Sequence, residues 1–273
     1  MNTIIAATDY SELAENAVEY AAAVAKLKNE RLILLNDISV AVHAENARLP
    51  SDRFEELLVA NEVRLGQRAL ALSHAYGIDV VPKATNSFVE NELETLVAEY
   101  HAYMVVLGME PQSRVQEWWG NTTTSVIKKF PLDVLAVPAK ARFEGLKKVL
   151  FACDALHGVS EALLTRVKNV ALLVTAEVEV LVISPGAAPA TPSNEAVYSL
   201  QRIGEGLEGI PYHIENVNAE SIVEGIRMEV IRSNADLLVM APQKHGFWDS
   251  LIHRSKTRMM AAGLDIPLLS VPA

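Results

Sequence analysis

The chain repeats itself. Thr3-Ile4-Ile5-Ala6-Ala7-Thr8-Asp9 opens it, and Lys148-Val149-Leu150-Phe151-Ala152-Cys153-Asp154 restates that opening. Val105-Val106-Leu107-Gly108 returns as Leu238-Val239-Met240-Ala241. Val134-Leu135-Ala136-Val137-Pro138 returns as Leu268-Leu269-Ser270-Val271-Pro272. The order is kept, and the spacing drifts only as loop insertions or deletions would make it drift. A duplicated domain has this signature. The 273 residues then divide into two domains, 1–140 and 145–273, each long enough to bury its own core. Pro138 to Gly145 is the natural linker.

Within each copy, apolar runs alternate with helical periodicity. Ile4 to Ala7 and Val149 to Ala152 do not alternate with polar residues, as expected of strands buried on both faces. Ser11 is a candidate N-cap, followed by Leu13, Ala17, Tyr20, Val24 and Leu27 at helical spacing. Ser160 precedes Leu163, Val167, Ala171 and Val174 in the same way. Strands are predicted at Leu32 to Leu35 and Val178 to Ile183. Long helices follow, near Asp52 to Tyr76, closed by Gly77, and near Asn194 to Leu207. Third strands near Ile78 to Ala84 and Tyr212 to Val217 lead to helices at Val89 to Tyr100 and Ile222 to Ser233. Fourth strands are Met104 to Leu107 and Leu237 to Met240, and fifth strands Val134 to Val137 and Leu268 to Val271. Strand and helix alternate through five strands, twice, which predicts parallel α/β sheets with right-handed crossovers. Ser39 to Pro50 and Pro185 to Ser193 read as surface loops.

Charge and composition narrow the function. A net charge of −10 disfavours nonspecific binding to nucleic acid or to an anionic membrane. One cysteine, Cys153, excludes an intrachain disulfide and suits a reducing compartment. No apolar run approaches the roughly 18 residues of a membrane span. The first residues lack the basic region of a signal peptide. A cytoplasmic location is expected, with neither nucleic acid nor membrane as partner.

In order and in duplicate, these segments resemble the universal stress protein family in its tandem form. Ala7-Thr8-Asp9-Tyr10-Ser11-Glu12-Leu13-Ala14 is similar to the family opening. Asn234-Ala235-Asp236-Leu237-Leu238-Val239-Met240 is similar to its approach to the fourth strand, and Val134 to Pro138 to its closing strand. The resemblance implies two tandem, doubly wound, parallel five-stranded sheets of the adenine nucleotide alpha hydrolase-like, Rossmann-like kind, with strand order 3-2-1-4-5. It also implies dimer-like pairing of fifth strands. The expected association is an intrachain pseudo-dimer, with a homodimer as a second option and the protein partner unidentified.

Nucleotide-binding members carry G-x2-G-x9-G-[ST] after the fourth strand. Glycines let the backbone approach phosphates, and a helix N-terminus offers free N–H groups to the anion. Both copies depart from the motif. In the first, Gly108-Met109-Glu110-Pro111 replaces the second glycine by a proline, which has no N–H to donate. The spacing to Gly120 is one residue short, and Asn121 stands for the Ser/Thr, with Thr122, Thr123 and Thr124 after it. In the second, Ala241-Pro242-Gln243-Lys244 and Arg254-Ser255 keep the spacing and lose all three glycines. There Lys244, Arg254, Lys256 and Arg258, with His245 and His253, face only Asp249 in sequence.

Several residues carry two readings. Asp9 and Asp154 end the first strands, and would touch a ribose or base, or cap the following turn or helix. Gly108 and Gly120 would line a ligand, or supply turns with positive φ. Asn121, Thr122, Lys244, Arg254, Ser255 and Lys256 are the remaining candidates, for ATP, AMP or a phosphate-type anion. Trp118, Trp119 and Trp248 all fall in the loops after the fourth strands, as stacking platforms or as loop seals. Cys153 reads as a buried thiol rather than a nucleophile, and the histidines show no metal spacing. No catalytic residue, metal site or nucleophile motif emerges. The leading expectation is a non-catalytic stress-response protein with degenerate nucleotide loops, acting by ligand sensing or partner binding. The alternatives are an ATP-binding protein with slow ATPase activity and a scaffold without a small ligand.

Overall fold

A computed structural model describes residues 1–37, 51–86, 89–109, 122–153, 159–185, 194–241 and 265–272. The described residues up to Arg142 form one compact unit, and those from Phe143 onward form a second. Each unit is α/β, as the alternation predicted.

The first unit contains strands β1 (Thr3–Thr8), β2 (Arg31–Asp37), β3 (Val80–Thr85), β4 (Ala102–Met109) and β5 (Asp133–Pro138). Between them run α1 (Glu12–Lys28), α2 (Ser51–Tyr76), α3 (Val89–Tyr100) and α4 (Thr122–Lys129). The strands lie in the order β3-β2-β1-β4-β5, and every pairing within the unit is parallel. The expected order 3-2-1-4-5 is met. The core forms where Ile5, Ile33, Val105 and Val134 meet Leu93, Leu96 and Val126 from α3 and α4.

The second unit repeats the plan with β6 (Lys148–Cys153), α5 (Glu161–Val174), β7 (Glu177–Pro185), α6 (Asn194–Gly206), β8 (Tyr212–Ala219), α7 (Ile222–Ser233), β9 (Leu237–Met240) and β10 (Leu268–Ser270). Its order is β10-β9-β6-β7-β8, again parallel throughout. Phe151 at the middle of β6 is fully buried.

Local chemistry explains the boundaries. Ser11 and Ser160 are N-caps, each accepting a hydrogen bond from the backbone N–H three residues on, at 3.2 Å. Asn29 and Thr175 close α1 and α5 in the left-handed region. Gly77 ends α2 at φ +68°, where a side chain would be strained. The third strand begins at Val80, two residues later than the apolar pattern suggests, and the Ile78 carbonyl before it accepts from Ser73 Oγ at 2.7 Å. Pro82 sits within β3, which pairs with β2 alone in this unit, a position where a missing N–H costs no ladder bond.

The end of the first unit is pinned from α1. Buried Asn16 donates to the carbonyls of Pro138 and Ala141, both at 2.9 Å, and Arg142 donates to its Oδ1. One polar side chain inside an apolar helix face thus holds the chain as it leaves β5. Asn16→Ala removes these bonds and is expected to cost about 1–3 kcal/mol. Urea denaturation should show a lowered midpoint with an unchanged slope, and limited proteolysis should cut faster between residues 138 and 145.

Candidate functional site

In an open parallel sheet the crevice beyond the carboxyl ends of the strands is the usual ligand position. In the first unit that edge is held by a continuous set of polar side chains. The turn after β1 is the starting point. Asp9, exposed, accepts the Ser11 N–H on Oδ1 at 2.9 Å, and Thr8 Oγ1 accepts the Tyr10 N–H at 2.9 Å. Those two bonds set a sharp corner in which Tyr10 takes φ +63°, an uncommon value for an aromatic residue.

The corner aims Tyr10 at α2. Its hydroxyl donates to Asn61 Oδ1 at 3.1 Å, and the Arg64 guanidinium lies over its ring, 3.6 Å from the centroid. Asn61 donates onward to Asn36 Oδ1 at 2.8 Å, and Asn36 donates to the Thr8 carbonyl at 2.6 Å. The ring of contacts thus closes on the strand where it began. Burial raises the Tyr10 hydroxyl above its ordinary pKa, opposed by the Arg64 charge and assisted by Glu15.

A second layer supports the first. Thr8 Oγ1 donates to Glu15 Oε1 at 2.6 Å, and Glu15 Oε2 accepts from Arg68 Nε at 2.7 Å. Arg68 also donates to Glu19 at 2.5 Å, and the Tyr76 hydroxyl donates to the other Glu19 oxygen at 2.5 Å. Burial by itself would raise Glu19, but the Arg68 and Tyr76 hydrogen bonds outweigh it and hold the carboxyl below its ordinary range. Burial and the same carboxylate push Tyr76 up to about 12.

The fourth strand supplies the opposite wall. Gly108 lies within β4, and its φ is not positive, so the expected turn role does not apply. What it provides is space. A Cβ there would meet Leu13 Cγ at 2.7 Å and the Leu13 carbonyl oxygen at 3.3 Å. The glycine therefore lets α1 press onto the strand. Thr123, buried in the first turn of α4, donates its hydroxyl to the Gly108 carbonyl at 2.9 Å. Thr122 opens α4.

Of the remaining candidates, Gly120, Asn121, Asp154, Lys244, Arg254, Ser255 and Lys256 lie outside the described residues, as do Pro111 and the three tryptophans. Asp9 and Gly108 are placed at neighbouring strand ends of one unit. Cys153 ends β6 and is buried. Sequence reasoning missed Tyr10, Asn36, Asn61, Arg64 and Arg68. A signal existed: Asn61, Arg64 and Arg68 fall three and four apart, a polar stripe on one helix face bordering buried Leu65, Ala69 and Leu72. Among the described residues, no group of three or more His, Cys, Asp or Glu is placed to hold a metal ion. Nor is any helix among them long and apolar enough to cross a membrane.

Two tandem units of doubly wound parallel sheet define a class of α/β proteins. Within that class the family is explicit. The model of the universal stress protein family matches residues 1–138, over half the chain, and the protein belongs to that family. Membership supports a role in the stress response. The fold is similar to the crystal structure of a universal stress protein from Archaeoglobus fulgidus DSM 4304, at TM-score 0.74 and 17% identity, over 99% of this chain and 96% of that one. It is also similar to a protein of unknown function from Pseudomonas aeruginosa PAO1, at TM-score 0.59 and 17% identity, over 100% and 92%. No curated protein matches the sequence.

The Gly108–Leu13 approach is testable. Gly108→Ala is expected to destabilise the protein by about 1–3 kcal/mol, the usual cost of overpacking. Combining it with Leu13→Ala, which removes the nearest atoms, should cost less than the sum of the two single changes. Urea midpoints of the four proteins in the cycle measure the coupling.

Proposed function

We propose that this is a non-catalytic protein of the stress response, acting by ligand sensing or partner binding, whose first copy binds ATP weakly or not at all. The observation that supports this most is the turn after β1. Its polar groups, and those of the facing helix, are engaged with one another through Tyr10, Asn61, Asn36 and Thr8. A nucleotide entering beside Asp9 would have to break or reorganise that set. Two further points agree. The missing Cβ of Gly108 is accounted for by Leu13, and the sequence places Pro111 where a phosphate-facing amide is needed. Each hydrogen bond lost to a charged phosphate oxygen costs about 1.5–3 kcal/mol, so two lost bonds weaken binding roughly a hundredfold or more.

The alternative is an ATP-binding protein with slow ATPase activity. Calorimetric titration separates the two. No heat of binding is expected from ATP or AMP at micromolar concentration. A micromolar site that Gly120→Trp abolishes would establish the alternative.

The second copy is proposed as the place for a phosphate-type anion, through Lys244, Arg254, Lys256 and Ser255, since Arg grips such groups with paired hydrogen bonds. With Trp118 and Trp119 replaced by Phe, Trp248 remains as a reporter. Phosphate or a nucleotide should change its emission, added salt should weaken the change, and Arg254→Ala with Lys256→Ala should remove it. Emission unmoved by millimolar phosphate, ATP and AMP would favour a scaffold without a small ligand.

A cytoplasmic location belongs to the same proposal. So does pairing of the apolar fifth strands as an intrachain pseudo-dimer, because an unpaired apolar edge is a liability. Expressed alone, residues 1–140 should then dimerise in sedimentation velocity, and a monomeric fragment would count against it.

A further inference from the structure

At three matching positions, two on strands and one on a helix, the two copies differ in chemical character. Glu179 is the third residue of β7 and is 1% exposed. It pairs in register with His213 of β8. Glu229, the eighth residue of the twelve-residue α7, is 2% exposed. In the first unit, Ile33 is the third residue of β2, pairs in register with Val81, and lies in one cluster with Leu96, the eighth residue of twelve-residue α3. The second copy has therefore placed Glu, His and Glu where the first has Ile, Val and Leu. Burying charge at apolar positions is costly unless the groups answer one another.

They do so by sharing protons. His213 Nδ1 lies 3.0 Å from Glu177 Oε1, and Nε2 lies 2.9 Å from Glu179 Oε2. A neutral imidazole carries one N–H and can satisfy one of these contacts. The second needs a further proton, either on the ring or on Glu179. No N–H group bonds the Glu179 Oε1 atom, and the Glu229 carboxyl lies against this residue, so the two carboxyls are joined only through a proton that one of them carries. Cations stand at the rim. Lys148 of β6 is 3.9 Å from Glu179 Oε2, and Arg232 of α7 is 3.6 Å from Glu179 Oε1 and 3.5 Å from Glu215 of β8. Arg232 spends its best geometry on Glu229, with Nε 2.7 Å from Oε1.

We propose that Glu179, His213 and Glu229 form a proton-operated latch in the second unit: a proton held among them fastens α7 to β7 and β8, and its loss leaves like charges buried together and loosens the helix. Burial and the Glu229 carboxyl push Glu179 up to about 7, against the opposing pull of His213. Burial would raise Glu229 as well, but its hydrogen bonds to Arg232 and Glu179 hold it below the ordinary carboxylate range. The sign follows from the raised group. Between the ordinary carboxyl value and about 7, the folded state binds more protons than the open one, so stability falls as pH rises through that window. The lowered Glu229 works oppositely and only at more acid pH.

Amide hydrogen exchange on the whole protein tests this. After correction for the intrinsic pH dependence of exchange, opening of α7 should rise about tenfold between pH 6 and pH 8, the change expected of one carboxyl raised to about 7. Helix α3, which has Leu96 at the matching place, is the internal control and should not show that rise. Glu179→Gln can donate to Glu229 and accept from His213 as the protonated acid would, and should keep α7 protected at both pH values. A variant carrying the first copy's residues, Glu179→Ile with His213→Val and Glu229→Leu, should also lose the pH dependence. The latch is overturned if α7 and α3 of the natural protein respond alike, or if Glu179→Gln retains the tenfold change.

Discussion

Each copy hangs on one strand hydrogen-bonded along both edges and covered on both faces. In the first unit β1 lies between β2 and β4, and Ile4, Ile5 and Ala6 are fully buried. In the second β6 lies between β7 and β9, with Val149, Leu150 and Phe151 equally buried. A strand in that position has no solvent side, so helices must cover both faces, and the chain must cross back after every strand. The crossover connections and the common direction of the strand ends follow. Even the close approach of Leu13 to Gly108 is a consequence, because α1 has to reach the neighbouring strand to seal the sheet.

On this common frame the copies have diverged at matching positions. In the first unit Tyr10, Asn36 and Asn61 are mutually bonded beyond the carboxyl ends of the strands and Arg68 bridges Glu15 and Glu19, while Asn2, Lys28, Glu30 and Tyr103 are bonded at the amino ends. Its amino-end interior at Ile33, Val81 and Leu96 is apolar. In the second unit that interior holds Glu179, His213 and Glu229. The rim pair survives with its charges exchanged: Lys83–Glu99 in the first unit occupies the place of Glu215–Arg232 in the second. A rim pair is solvated and tolerates the exchange at little cost. Inside, a carboxylate is costly unless its neighbours answer it, and both Glu179 and Glu229 are buried.

The fold was legible because it depends on patterns that survive without contacts. Apolar runs, N-cap serines at 11 and 160, and Gly77 announce elements by local rules, and duplication supplied each element twice. Boundaries moved where the apolar pattern ran on past an element's end, as at Ile78, whose carbonyl is held by nearby Ser73 before β3 begins. Sites were less legible. Gly108 read as a ligand or turn glycine; its φ is not positive, and a leucine on another element fills the place of its missing Cβ. Tyr10 gave no local hint of its left-handed backbone, because the Thr8 and Asp9 bonds that hold it depend on the β1–α1 corner being folded.

The sequence by itself determined the number of copies, the parallel α/β class and the loss of the phosphate-loop glycines, since each is written in local periodicity or in residue identity, whereas the strand order was legible only through the family resemblance. Tertiary structure alone decided which polar residues meet. Asn61 and Tyr10 are joined across α1 and β2, and Glu179, His213 and Glu229 come from three different elements. Whether such groups are ionised, hydrogen-bonded or crowded depends on distance and burial, and neither exists until the chain has closed.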